Sequence, residues 1–172
     1  MFYDLQGEAK MAPIVGMLYS MVKENTERLQ WITSGMIQQE VDYKGPNQEY
    51  NSTAQLIRHL TYVDINWVYR IKDQPIPKSL KQKYGPMLDK NNRLPMVQGV
   101  SLNSLISDYQ SVISLLAETC IQLSDNELEK VVTFGHENEK QATIRWGLWH
   151  MADHNRYHQA HINQLRKWYG KG

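Results

Sequence analysis

Leu56, Leu60, Val63 and Trp67 recur at i, i+4, i+7 and i+11, the spacing that lines one face of an α-helix. A stripe of that period has to be buried against other elements, so the question becomes what else the chain supplies. Three further segments carry the same period. In the first, residues 12–34, Ile14, Leu18, Met21, Val22, Leu29 and Ile32 recur at helical spacings, with Pro13 at the start and Gly35 past the end. Asn51, Ser52 or Thr53 can cap the second helix, and Pro75 and Pro77 stop it near Asp73. Ser101 caps a third, with Leu105, Tyr109, Val112, Leu116 and Cys120 as its stripe. The fourth runs from about Thr143 to Trp168, with Gly170 as its terminator.

The connections are unequal. QPIPKSLKQKYGPMLDKNNRLPMVQGVS holds four of the six prolines and reads as a long connection with a short helical turn around Ser79 to Lys83. VVTFGHENEK is a loop or a short extended piece. The fold expected is all-α: a four-helix bundle with a long connection between its second and third helices, in one domain over residues 1–172. A chain of 172 residues can bury such a core without staples.

Charge and composition exclude several functions. A net charge of +1 offers no surface for a polyanion, so nucleic acid is not an expected partner. Cys120 is the one cysteine, which rules out an intrachain disulfide and a Cys-rich zinc cluster and fits a reducing cytoplasm. The first 25 residues lack the basic start and apolar core of a signal peptide, and no run approaches the roughly 20 apolar residues that span a bilayer. Small bundles often pair through an apolar helix face, so a homodimer is expected.

The fourth helix carries four of the six histidines: His150, His154, His158 and His161. His154 and His158 lie about 40° apart in rotation and about 6 Å apart along the axis, so both rings can reach one ion. The spacing is that of H-E-x-x-H, but in HNRYH Asn155 stands where a zinc peptidase has its glutamate, which disfavours that chemistry. A third ligand must come from elsewhere. His136 lies in the polar GHENEK stretch and reads as exposed, whereas His59 borders the apolar face of the second helix. His59 is therefore the choice, with a hydrogen-bonded core histidine as the alternative role.

HMADHNRYHQAHI resembles the C-terminal signature of the DinB-like superfamily (DinB/YfiT-like metal-binding four-helix bundle proteins), and STAQLIRHLTYVDINWV resembles the segment carrying that superfamily's remaining histidine. The likeness spans essentially the whole chain. It implies that His59, His154 and His158 bind one divalent metal ion. It also implies that His150, one turn before the pair, either packs beside the ligands or supports them. His161 stands where relatives often carry Gln, in YHQAH rather than YHRGQ, so it either tunes the site or joins it.

Three imidazoles leave open positions on a divalent ion, and Zn, Ni, Mn or Fe would all suit such ligands. Water bound there is acidified towards a pKa of about 7, and a bound thiol becomes a thiolate. The resemblance accordingly implies an enzyme acting on a small molecule, either a thiol S-transferase using a low-molecular-weight thiol such as bacillithiol, mycothiol or glutathione, or a hydrolase. A non-catalytic metal-binding or interaction bundle is the alternative.

Tyr62, Asn66 and Trp67, one or two turns after His59, can line a pocket or pack in the core. Arg58, Asn66, Arg70 and Arg156 can hold a charged cosubstrate or stay solvated. Asp64 and Asp153 can each orient a ligand imidazole, but a surface position is the expected one for both. No general base is assigned.

Overall fold

A computed structural model describes residues 2–135 and 139–170. Among them are six α-helices: α1 (Pro13–Thr33), α2 (Gln38–Val41), α3 (Thr53–Ile71), α4 (Lys78–Tyr84), α5 (Leu102–Ile121) and α6 (Ile144–Tyr169). A two-stranded antiparallel hairpin, β1 (Val131–Phe134) and β2 (Lys140–Thr143), pairs Val131 with Thr143 and Phe134 with Lys140. VVTFGHENEK thus takes the extended alternative; His136 lies outside the described residues.

The caps explain where the long helices begin. Ser52 accepts from the Gln55 backbone N–H at 3.2 Å while the Gln55 side chain accepts from the Ser52 N–H at 3.1 Å, a reciprocal capping box. Ser101 caps α5 through the Ser104 N–H and Thr143 caps α6 through the Trp146 N–H, both at 3.2 Å. In contrast, α1 has no cap of its own: Pro13 occupies its first turn, and Asp125, more than a hundred residues away, accepts from the Ile14 and Val15 N–H groups at 3.0 Å each. Ile14 itself departs from the expected stripe and is 47% exposed, because the core face of this turn is taken by its neighbour Val15.

The four long helices close on one another, α1 against α6, α6 against α3, α3 against α5 and α5 against α1. The fold is mostly helical and consistent with a helical bundle. Leu29, Ile57, Leu60, Trp67, Tyr109, Leu116, Leu148 and Met151 fill its centre. Truncating one such Leu to Ala removes about 2–5 kcal/mol. Helices α3 and α6 approach closely at Gly147, where an added Cβ would stand 2.5 Å from the Trp67 ring. The long connection is tied to the same helix, since the Gln55 amide donates to the Leu94 and Pro95 carbonyls at 3.1 Å. No helix among the described residues is long and apolar enough to cross a membrane.

Candidate metal centre

Because α3 and α6 lie side by side, His59 meets His154 and His158 across their interface. His154 Nε2 stands 3.3 Å from His59 Nε2 and 2.9 Å from His158 Nε2, and one nitrogen from each of the three rings falls within 4.8 Å of the others. The rings stand nearly edge to face, at 71°, 85° and 84°, so they surround a point instead of stacking. Burial drives their pKa values down from an ordinary 6.5, to about 4 for His59 and about 3 for His154 and His158, with the neighbouring imidazoles lowering the last two further. All three are neutral near pH 7, the state in which imidazole ligates a metal. Ligands about 2.0–2.1 Å from a tetrahedral ion lie about 3.3 Å apart, which the His59–His154 separation of 3.3 Å matches and the His154–His158 separation of 2.9 Å approaches. The Nδ1 atoms of all three are buried and meet no hydrogen-bond partner among the described residues.

One flank of the centre is aromatic. His150 stacks on Trp146 at 4.6 Å and 10° and on His154 at 5.3 Å and 25°. Trp67 adjoins His150 at 5.9 Å, and Phe134 of the hairpin packs on Trp67 at 5.4 Å. Burial also lowers the His150 pKa, while Asp153 opposes it. His161 is exposed on the other flank, its ring 5.6 Å from His158 and 4.5 Å from Tyr157.

Of the pocket residues expected from sequence, only Trp67 reaches the aromatic flank by a ring contact. Asn66 turns back to donate to the Tyr62 carbonyl at 2.6 Å, and Tyr62 packs where a Cβ on Gly85 would stand 2.9 Å from its ring. Arg58 is held by the Lys83 carbonyl at 3.1 Å and the Asp108 carboxylate at 3.4 Å. Arg70 lies over the Trp67 ring at 5.3 Å, and Arg156 is exposed.

Asp64 corrects the sequence reading. Asp153 is exposed, as expected, but Asp64 is fully buried, and burial pushes its carboxyl up to about 7 against the lowering effect of its bond with Tyr109. The Tyr109 hydroxyl donates to Asp64 Oδ2 at 2.7 Å and accepts from Asn155 Nδ2 at 2.7 Å. Gln159 continues the chain, donating to Asn155 Oδ1 at 2.8 Å and to the Asn25 carbonyl at 2.7 Å, while Arg28 donates to Gln159 Oε1 at 2.9 Å. Asp64 therefore orients no imidazole. The signal for its burial was present: it stands four residues from both Leu60 and Val68, on the core stripe of α3.

Three histidines converging from two packed helices define a helical protein with a centre able to hold a metal ion. Residues 17–170 match the mycothiol-S-transferase family, and the chain belongs to that family within the DinB/YfiT-like superfamily. It is also 50% identical over 165 residues, spanning 95% of this chain and 93% of the relative, to the uncharacterized protein YkkA of Bacillus subtilis (strain 168).

Proposed function

We propose that this chain is a metal-dependent thiol S-transferase, folded as a single four-helix bundle of the DinB-like type over residues 1–172 and working in the cytoplasm. The observation that carries the proposal is the meeting of three neutral imidazoles, each with a nitrogen aimed at the same point. Membership of a family described as mycothiol-S-transferase supplies the reaction class. A divalent ion held by His59, His154 and His158 would keep positions for a thiol and acidify it, giving a thiolate nucleophile at neutral pH.

The rest is the work of the chain. The three ligand rings stay unprotonated through burial, and the Trp67–Trp146–His150 flank packs along one side of the centre. The Asp64–Tyr109–Asn155 hydrogen bonds tie α3, α5 and α6 together in the interior, apart from the three ligand rings. In the transfer, the thiol gives its proton to solvent, its sulfur forms a bond to the electrophilic carbon, and the leaving group departs with the electron pair of the broken bond.

Protein purified without a polyhistidine tag should carry about one divalent ion per chain, and mycothiol, bacillithiol or glutathione should be consumed with a haloarene in a chelator-sensitive reaction. The proposal fails if metal-supplemented protein holds no ion and His154→Ala alters neither metal affinity nor turnover. Water-dependent ester or amide cleavage without thiol would assign the hydrolase instead, and a metal without turnover the non-catalytic bundle. Sedimentation would test the homodimer.

A further inference from the structure

On the His161 flank, the groove between α3 and α6 widens into an opening of about 260 Å³. Leu56, Leu165, Trp168 and Tyr50 supply most of its wall, the last two with ring centroids 4.7 Å apart. Leu56 stands one turn before His59 on α3, and His161 stands one turn after His158 on α6. With the His161 and His158 rings 5.6 Å apart, the opening and the histidine centre share a wall.

Its chemistry is one-sided. Among the described residues that line it, none is Lys or Arg, and Glu49 brings a carboxylate. A carboxylate-bearing thiol placed here would meet a like charge and no cation, whereas an uncharged ring would meet apolar and aromatic walls. The volume is near the lower end for ligand pockets, about 300 Å³, which suits a single substituted ring or a short alkyl chain.

We propose that this opening is the subsite for the second substrate, where it takes the uncharged aryl or alkyl body of the electrophile beside the thiol. The inference rests on the S-transferase reading. It assigns His161 and Trp168 to substrate positioning. It also assigns Glu49 to discrimination against anionic electrophiles.

Two measurements test it on the metal-loaded protein. The first compares 1-chloro-2,6-dinitrobenzene with 4-chloro-3,5-dinitrobenzoate, which differ by a carboxylate. The uncharged haloarene should have the higher kcat/KM by about tenfold or more, and Glu49→Lys, on an exposed segment, should narrow that gap. Gln164→Trp, which fills the opening, should raise KM for the haloarene about tenfold while KM for the thiol stays within about twofold. The second follows quenching of tryptophan fluorescence by the unreactive 1,3-dinitrobenzene, which needs no turnover. Saturable quenching that weakens in Gln164→Trp and Trp168→Phe supports the subsite. Unchanged binding, KM and charge preference in the Gln164 and Glu49 variants overturn it, even if transfer proceeds normally. Binding without transfer to any thiol would overturn the S-transferase reading and leave the opening as a site for an uncharged ring.

Discussion

Two polar clusters share helices α3 and α6, one of them reaching to Tyr109 on α5, and are used in opposite ways. Asp64 follows His59 by five residues on α3, and Asn155 follows His154 by one on α6. Yet Asp64, Tyr109, Asn155 and Gln159 bond to one another in the interior, while the three imidazoles turn Nε2 atoms towards each other. A rotation of about 100° per residue separates the two roles on α6. A buried polar group satisfied by protein partners holds the fold together, and one whose capacity is left aimed at a common point is fitted to bind something. Asn155 illustrates the first case. In a sequence motif it occupies the slot of a catalytic glutamate, but in the fold it faces Tyr109.

Substitutions on the two sides should separate metal binding from stability. The largest effect is expected for His154→Ala, which should weaken metal affinity more than about 100-fold, because losing even a partner behind a ligand costs about 10–100-fold. Competition with a chromophoric chelator would measure it. Without metal, its urea stability should move by less than about 1 kcal/mol. Tyr109→Phe should do the reverse. Removing the hydroxyl between Asp64 and Asn155 should lower urea stability by about 1–3 kcal/mol and leave metal affinity within about threefold. An equal loss of affinity would show that the clusters act as one unit.

Acid titration of the metal-free protein gives the two sets opposite signs. With folded pKa values of about 4, 3 and 3 against 6.5 unfolded, the imidazoles make the unfolded chain bind more protons in that window, so stability falls as pH drops below 6.5. Asp64, raised from 3.8 to about 7, keeps its proton in the folded chain, and its contribution is lost as pH rises from 3.8 through 7. The histidines should dominate between about pH 4 and 6.5, and Asp64→Asn should steepen the slope of the urea midpoint against pH. The smallest effect is expected for His150→Phe, which keeps a ring against Trp146 and His154 and should reduce metal affinity by less than about tenfold. A loss beyond about 100-fold would make His150 a ligand.

Helical periodicity located the four long helices, and polar residues beside it located the cap at Ser101, narrowed that of α3 to Asn51, Ser52 or Thr53 and put the start of α6 near Thr143, because both signals are local. The cap on α1 was illegible, since Asp125 comes from a distant segment. Tyr62 and Asn66 follow His59 at spacings that suit a pocket, yet one packs by Gly85 and the other bonds its own helix. Spacing gives the face of a helix, whereas the neighbouring element decides what that face meets.

The order of residues along the chain was enough to bring His154 and His158 onto one side of a helix and to nominate His59, because a helical repeat is a property of sequence. Only the packing of α3 on α6 brought His59 to within 3.3 Å of His154 and buried the three rings deeply enough to keep them neutral. The same packing took Asp64 out of solvent. Desolvation and long-range contact depend on all the elements around a side chain, so neither can be read from the segment that carries it.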